Sequence, residues 1–398
     1  MILSVSAECN EDVIMKPKNI LFLMGTYPSY GGVEKVSTTL ANKFIEDGHS
    51  VTIASYIQPQ NDFIKQFLSE QCKLLSLSQP VLTLQNIKKL REYIITNRID
   101  IIINQWVVPF YATLVWKIAV RGTNCKVYSV HHNKPDTNKR IETLDMLINK
   151  GKSHLKILRF LIREISRLSL SFCIKNSHKY VLLSQSFIPI AKKYARISNN
   201  DKYISISNPI EMPSSISIIS KEKEIIYVGR IEYNQKRTYR VVDIWKELEP
   251  LYPDWKLTIV GDGDDRDDLQ KRINEYGLKR VTITGFVNPI EYYQRASILL
   301  LTSDYEGFGL VIAEAMKLGV VPVIYNSYES AKDLITNGYN GVLIEKPFDV
   351  QSFTKAMQKL MKNTDYWNAL SQNGRIASEK YSVDNIVKEW YQLMDKSC

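Results

Sequence analysis

The chain of 398 residues is too long for one ordinary hydrophobic core, so we expect two domains of roughly 200 residues each. Hydrophobic residues make up 44% and charged residues 24% of the chain, which is typical of a soluble globular protein. The formal net charge of +10 favours an anionic partner but does not choose between a nucleic acid, a nucleotide and a membrane surface.

Cysteine usage and the first residues predict a cytoplasmic protein. The five cysteines are odd in number and widely scattered, which excludes a disulfide framework and a metal cluster. Residues 1–15 contain acidic residues and lack a basic start, so we expect no signal peptide. The most apolar window, Trp106–Val120, is interrupted by Pro109 and Lys117 and falls short of the ~20 residues that span a bilayer. A buried helix is predicted there instead.

The first half of the chain alternates strands with helices. Residues 1–18 form a polar extension without an assigned role, and Asn19–Met24 is an apolar run typical of a buried strand. The glycine-containing turn that follows leads into a helix from near Val33 to about Asp47. Further strands are predicted at Ser50–Ser55, Ile99–Ile103, Lys126–Val130 and Lys179–Ser184, and further helices at Leu84–Thr96 and within Trp106–Val120. This alternation predicts a parallel, doubly wound sheet.

Two features of this half are candidates for ligand contact. The pair Gly31-Gly32 is either a plain turn or a phosphate-sized loop, and the absence of G-x-G-x-x-G argues against nicotinamide binding. His131 and His132 follow a predicted strand at its carboxyl end, where this architecture places ligands. An isolated histidine is more often structural, so the sequence leaves both interpretations open.

Residues 147–179 differ from their surroundings in composition. Basic residues recur at three- and four-residue spacing, and apolar residues mark another face, which predicts a basic amphipathic helix. The basic residues are Lys152, Lys156, Arg159, Arg163 and Arg167, and the apolar ones are Leu155, Leu158, Ile162 and Ile165. Either the apolar face contacts the core and the basic face is solvated, or the basic face rests on anionic lipid headgroups.

Ser205–Ser215, with two prolines and several small polar residues, is the predicted domain boundary, and the cleft between the domains is the predicted site. After the strand Glu224–Val228 come Arg230 and Lys236, whose charges suit the two phosphates of a diphosphate. Either cation alone would usually be a solvated surface residue. The metal-binding pattern D-x-D at Asp262–Asp264 is discounted, because acidic residues there suit the first turn of a helix.

The most informative stretch is Ile298–Tyr325. Two apolar runs predict buried strands, and between them lie a glycine loop and a helix from Leu310 to Leu318. Gly307 and Gly309 allow backbone N–H groups at the helix start to approach an anion. Glu306 and Glu314 flank that loop and can accept hydrogen bonds from ligand hydroxyls, which predicts a sugar nucleotide. The alternative is that both acids only complement the helix dipole.

These strings together resemble one family. E-G-F-G-L at Glu306–Leu310, with Glu314 eight residues after Glu306, resembles the E-x7-E signature of retaining GT-B glycosyltransferases of family 4, also described as glycosyl transferases group 1. Other segments resemble that family in the same order: G-G-V-E at Gly31–Glu34, S-x-H-x-N at Ser129–Asn133, N-P-I at Asn208–Ile210, and Gly229-Arg230 followed by Lys236. The usual glycine after this lysine is replaced by Arg237. The resemblance spans Asn19 to about Met394.

The resemblance implies a GT-B fold of two Rossmann-like domains, at 19–207 and 208–375, with residues 376–398 forming a helix that crosses back to the first. It implies transfer of a sugar, with retention and without a metal or cofactor, from a UDP-sugar, or next a GDP-sugar. The acceptor would be a glycan or lipid-linked saccharide in bacterial capsule, O-antigen or lipopolysaccharide assembly. The implied catalytic residues are Arg230, Lys236, Glu306 and His131, with His132 as the other register, and no general base is assigned. The implied donor-binding residues are Gly31, Gly32, Gly229, Phe286, Gly307, Phe308, Gly309, Leu310 and Glu314.

Three other functions compete with this one. A catalytically silent binding module should have lost Arg230, Lys236 or Glu306, and all three are present. An epimerase or phosphorylase of the same fold is closer in kind, because a fold alone does not fix the reaction. A nucleic-acid binder would explain the charge, but aromatic residues are not interleaved with the basic ones, so we expect no nucleic-acid partner.

Overall fold

The computed structural model describes residues 16–29, 31–60, 65–149, 151–212 and 220–395. Most of the predicted N-terminal extension therefore lies outside the described residues, as do Cys9, Cys398 and part of the predicted domain boundary. Two parallel sheets, each covered by helices, make up a GT-B fold. The predicted fold class is confirmed.

The first sheet has seven strands, all parallel, in the order β3-β2-β1-β4-β5-β6-β7. The strands are Asn19–Thr26 (β1), Ser50–Ile57 (β2), Lys73–Ser76 (β3), Ile101–Asn104 (β4), Lys126–His131 (β5), Lys179–Leu182 (β6) and Tyr203–Ser205 (β7). The helices are Gly32–Glu46 (α1), Leu84–Thr96 (α2), Phe110–Ala119 (α3), Lys139–Asn149 (α4), Lys156–Asn176 (α5) and Phe187–Ala195 (α6). Strands β3 and β7 and helix α4 were not predicted from the sequence.

The second sheet has six parallel strands in the order β10-β9-β8-β11-β12-β13. The strands are Glu224–Val228 (β8), Lys256–Val260 (β9), Val281–Ile283 (β10), Ile298–Leu301 (β11), Val321–Tyr325 (β12) and Val342–Ile344 (β13). The helices are Tyr239–Leu248 (α7), Arg266–Glu275 (α8), Ile290–Arg295 (α9), Leu310–Lys317 (α10), Ala331–Leu334 (α11), Val350–Lys362 (α12), Thr364–Ser378 (α13) and Val383–Asp395 (α14).

Strand order decides where a ligand can bind. In each sheet the order reverses at one place, between β1 and β4 in the first sheet and between β8 and β11 in the second. Open parallel sheets bind ligands at such switch points, outside the carboxyl ends of the strands. The loops that carry Gly31, Arg230 and Glu306 all begin at strands beside a switch point. The fold thus brings together segments that are far apart in the sequence.

The last helix, α14, packs against α1 of the first half. The hydroxyl of Tyr391 donates a hydrogen bond to Asp47 (2.7 Å), and its ring lies 5.8 Å from that of Phe44. Trp390 is buried, and Asp384 pairs with Lys43 at 3.2 Å. These contacts tie the end of the chain to its first helix.

The basic amphipathic helix differs from both interpretations of its sequence. Gly151, at φ +93°, lies in the turn after α4, and α5 begins only at Lys156. The arginines of α5 face neighbouring side chains: Arg159 pairs with Asp145 of α4, and Arg163 lies 5.7 Å from the ring centre of Tyr194.

The exposed face of α5 is instead apolar. Six of its apolar side chains are between 45% and 74% exposed: Ile157, Leu158, Phe160, Leu161, Ile165 and Leu168. We call these six residues the α5 ridge. Lys152 and Lys156 lie exposed beside its first residues. Within the described residues, no helix is both long and apolar enough to cross a membrane.

Candidate active site

The loop after β11 carries the carboxylate that organises the site. Gly309 adopts a left-handed conformation (φ +86°) immediately before α10, which glycine reaches without a steric penalty. Glu306 lies buried in this loop. The Lys236 ammonium lies 2.7 Å and 2.8 Å from its two carboxylate oxygens. A buried carboxylate needs such a partner, so Lys236 and Glu306 position each other.

Arg237 replaces the glycine that is usual in the family pattern, and this replacement has a structural consequence. Its backbone adopts φ +50°, the region that the usual glycine would occupy at low cost. The Arg237 guanidinium donates to Asp304 at 2.6 Å, and Arg240 donates to the other oxygen of Asp304 at 2.6 Å. The substituted residue therefore supplies a side-chain anchor for the loop that carries Glu306.

Arg230 lies at the end of β8, with most of its side chain exposed. Its guanidinium is 3.5 Å from Glu232. Gly229 packs so closely against β9 that a Cβ on Gly261 would lie 1.9 Å from the Gly229 carbonyl oxygen. In the discounted D-x-D string, Asp262 pairs with Arg266 at 3.0 Å. This turn therefore holds Arg230 at the carboxyl edge of the sheet.

The glycine turn of the first half faces the start of α10. A Cβ on Gly32 would lie 3.8 Å from a methyl of Leu310, and Gly31 is the N-cap residue of α1. Lys35, in the first turn of α1, donates to Glu314 at 2.7 Å. The buried Glu314 also accepts from the Tyr293 hydroxyl at 3.1 Å.

The two halves meet without a gap at Gly307. A Cβ added to Gly307 would lie 2.0 Å from the carbonyl oxygen of His132. Ser186, before α6, donates to Asp333 of the second half at 2.6 Å. Real Cβ atoms do not approach a carbonyl oxygen so closely, so this closed arrangement requires glycine at position 307.

His131 and His132 have different surroundings. Nδ1 of His131 lies within hydrogen-bond distance of the Tyr180 hydroxyl on the neighbouring strand. Nε2 of His132 contacts the Gln105 side chain, and its backbone contacts Gly307. Burial lowers the pKa of His131 to about 4 and that of His132 to about 3. Both rings are therefore neutral near pH 7 and can share hydrogen bonds but cannot neutralise a phosphate.

Two of the aromatic candidates lie apart from the ion pairs. Phe308 is buried, and its ring packs edge-on against Tyr381 with the ring centres 5.1 Å apart. Phe286, after β10, is 70% exposed. Phe308 can therefore offer a ligand its backbone, whereas the Phe286 ring is accessible from solvent.

Three residues of the cleft were missed by the sequence analysis. Lys35 follows the string G-G-V-E directly, so its position was a usable signal. Tyr305 precedes Glu306, and its hydroxyl donates a hydrogen bond to Glu142 across the cleft. Glu142 could not be found, because no helix was predicted at 139–149.

Comparison with known proteins finds two family models that match this chain. Residues 30–211 match the model of Glycosyltransferase Family 4, and residues 210–377 match that of Glycosyl transferases group 1. The chain carries two glycosyltransferase domains. An uncharacterized glycosyltransferase of Haemophilus influenzae is 26% identical over 95% of this chain and 100% of its own length. An α-1,4-N-acetyl-D-galactosaminyltransferase of Campylobacter jejuni, acting on an undecaprenol-linked saccharide, is 24% identical over 94% of this chain and 98% of its own.

Solved structures share the fold. Anabaena HepE in complex with UDP superposes with a TM-score of 0.73, at 19% identity over 95% of this chain and 100% of its own. The lipopolysaccharide outer core galactosyltransferase WaaB, in its apo form, gives a TM-score of 0.70 at 18% identity over 96% of this chain and 100% of its own. Named relatives include an amylovoran biosynthesis glycosyltransferase of Erwinia amylovora and a lipopolysaccharide 1,6-galactosyltransferase of Escherichia coli.

The buried histidines predict how stability depends on pH. Their folded-state pKa values lie below the ordinary 6.5, so the unfolded chain binds protons more readily. Their contribution is fully present above pH 6.5 and is lost as the pH falls towards 4 and then 3. For His131 the loss is on the order of 3 kcal/mol. His131→Gln should reduce the acid-side slope of the unfolding free energy in chemical denaturation at several pH values. His154→Gln, at an exposed position, should not.

The close approach of Gly307 to His132 suggests a variant that should prevent closure of the two halves without unfolding the protein. In Gly307→Ala the methyl group would meet the His132 carbonyl, so the two halves must move apart. A misplacement of ~1 Å at a reacting centre costs on the order of 100-fold in rate, so turnover should fall by about that factor. The thermal midpoint should change little. Gly374→Ala is the matched control, because its Cβ would meet neighbours at 3.5 Å. Equal activity of the two variants would contradict a closed working arrangement.

Proposed function

We propose that this protein transfers a sugar from a nucleoside diphosphate sugar to a hydroxyl of a glycan or lipid-linked saccharide in bacterial surface polysaccharide biosynthesis. The observation that carries the proposal is the buried pair of Lys236 and Glu306 beside the start of α10, at the switch point of the second sheet. It offers a cation and a carboxylate where a phosphate and a sugar of one ligand would meet. HepE, which has the same fold, was solved with UDP, and a UDP-sugar is the favoured donor, followed by a GDP-sugar.

The chemistry requires stabilisation of a leaving diphosphate. As the bond between the anomeric carbon and the phosphate oxygen breaks, negative charge develops on that oxygen. Lys236, Arg230 and the backbone N–H groups at the start of α10 would stabilise the charge in a closed cleft, without a metal. We assign Glu306 to the sugar hydroxyls and Glu314 to the ribose, and we assign no general base. Relatives whose names state the anomer form α linkages, which supports the retaining reaction of family 4.

The histidine pair would border the transferred sugar. Nδ1 of His131 is engaged by Tyr180, so a ligand could use only its other nitrogen. His132 lies nearer the donor loop, because its carbonyl contacts Gly307. Within the described residues, the buried Nδ1 of His132 and the buried Tyr328 hydroxyl have no hydrogen-bond partner. Buried polar atoms are usually hydrogen-bonded, so a polyhydroxylated ligand suits this region.

The first experiment measures thermal stabilisation by UDP-, GDP-, ADP- and CMP-sugars, followed by transfer with product analysis. Glu314→Gln should raise the dissociation constant of the preferred nucleotide about ten-fold, because it weakens a charged hydrogen bond. Lys236→Gln should lower kcat by roughly 100- to 1,000-fold, because it removes charge stabilisation in the transition state.

Lys271→Gln, a substitution of an exposed lysine on α8, is the control and should match the wild type. If no sugar nucleotide stabilises the protein against heat, the proposed enzymatic function is refuted and a silent binding module is favoured. Release of a rearranged or phosphorylated sugar would identify an epimerase or phosphorylase instead.

A membrane surface is the further partner that we propose, at the inner face of the plasma membrane. The α5 ridge would enter the headgroup region, and the exposed Lys152 and Lys156 would meet anionic lipid. This revises the sequence-based prediction, since the arginines of α5 are engaged by Asp145, Tyr194 and Glu164. The three described cysteines are free and buried, which is consistent with a cytoplasmic location.

Vesicle binding tests the membrane proposal. Phe160→Glu combined with Ile165→Glu should reduce partition onto vesicles containing phosphatidylglycerol by at least about ten-fold, because two buried apolar side chains are lost from the bilayer. Lys152→Glu with Lys156→Glu should abolish the preference for anionic over neutral vesicles. Ile376→Glu, on an exposed site of α13, and Lys88→Glu with Lys89→Glu, on α2, are the controls. Equal partition of ridge and control variants would remove the membrane from the proposal.

A further inference from the structure

Four different side chains hold the three consecutive residues before Gly307. Asp304 is bonded by Arg237 and Arg240, and Glu306 by Lys236, all within the second half. Tyr305 lies between them, and its hydroxyl donates to Glu142, which belongs to the first half. Among these three side chains, that of Tyr305 contacts the first half, so its hydrogen bond depends on where the first half lies.

The surroundings of Glu142 orient its carboxylate towards the Tyr305 phenol. It lies in the first turn of α4, and its second oxygen accepts from the Thr137 hydroxyl at 3.1 Å. The side chain is partly buried, and burial raises the pKa of its carboxyl, whereas the hydrogen bonds from Tyr305 and Thr137 act in the opposite direction. Both carboxylate oxygens therefore have a hydrogen-bond donor, so the direction in which Glu142 faces the cleft is fixed.

We propose that Glu142 is a positioning residue for sugar transfer, which acts through Tyr305 on Glu306. The inference rests on the proposed function, because Glu306 has a role in transfer only if the protein binds a donor sugar. Asp304 keeps the loop folded from within its own half, so the Glu142–Tyr305 contact is not needed for folding. It is made only when the halves are closed, and it then fixes the backbone next to Glu306.

The strength of the contact sets the expected effect. A hydrogen bond to an ionised carboxylate biases a two-state equilibrium by about ten- to one hundred-fold. Loss of the phenol hydroxyl should lower the closed, correctly positioned population by such a factor. The effect should appear in kcat rather than in the KM for the donor, because the residues assigned to the diphosphate and the ribose, Arg230, Lys236 and Glu314, lie in the second half.

A double-mutant cycle tests the pair in the full-length protein. Tyr305→Phe and Glu142→Ala should each lower kcat at least about ten-fold with the donor KM nearly unchanged, and the double variant should be no worse than either. Glu142→Gln should restore most of the activity, because its amide oxygen can still accept from the phenol. Tyr339→Phe and Thr143→Ala, at exposed positions on the second half and on α4, are the matched controls. Additive losses, or single variants as active as the controls, would overturn the proposal.

Hydrogen exchange provides a readout that does not depend on activity. Amides of residues 302–309 should exchange several-fold faster in Tyr305→Phe and in Glu142→Ala than in the wild type, while the thermal midpoint stays the same. If the wild type transfers no sugar, the proposed function fails and the positioning role fails with it, even where exchange shows that the contact exists. If the wild type transfers sugar but exchange in this segment is unchanged in both variants, only the positioning role of Glu142 is refuted.

Discussion

The ion pair between Lys236 and Glu306 is the interaction on which the site depends. A buried ion pair is a poor source of stability, because the desolvation of two charges offsets most of their attraction. Its position at the end of β11 is better explained by ligand chemistry, since both charged groups face the place where sheets of this order bind ligands. The surrounding loop is built to keep the pair in place, with Asp304 anchored by two arginines on one side and Gly309 turning the chain into α10 on the other.

Arg237 illustrates how a departure from a family pattern can be compatible with the same site. A left-handed backbone costs a non-glycine residue roughly 1–2 kcal/mol, so the loss of glycine would be expected to distort the loop. The backbone nevertheless retains the left-handed conformation, and the new guanidinium pairs with Asp304. The side chain thus offsets part of the backbone cost and gives the loop an anchor that glycine could not provide.

The sequence predicted the sheets well because their strands are buried on both faces. Runs such as Ile298–Leu301 and 225–228 are apolar and buried throughout, and strand alternation with helices then dictates the fold. The edge strand β3 was missed, because only Leu75 of its four residues is buried. Helix α4 was missed although Ile141 and Leu144 show helical spacing and the Asn138 side chain accepts from the N–H groups of its first turn. This segment joins short polar stretches, and its amphipathic period extends over little more than two turns.

The site was harder to predict than the fold, because it depends on which residues face each other across the cleft. Periodicity separated two faces of α5 but could not say which one lies inward, since Asp145 and Tyr194 come from other helices. The same holds for His131 and His132, where adjacent residues of one strand end have different partners. Glu306 and Lys236 were found because each belongs to a short local motif, whereas the contact between Glu142 and Tyr305 becomes visible only once the two halves are placed together.

The hairpin of α4 and α5 connects the donor loop with the α5 ridge. Its first turn carries Glu142 at the donor loop, its second helix carries the α5 ridge, and the ion pair of Arg159 with Asp145 joins the two helices. Packed helices shift as units rather than deforming continuously. If the ridge rests on a bilayer as proposed, the position of the membrane relative to the first half is therefore transmitted to Tyr305 through a single packed element. A lipid-linked acceptor would then be presented by the same helix pair that completes the donor loop, which couples acceptor delivery to closure of the cleft.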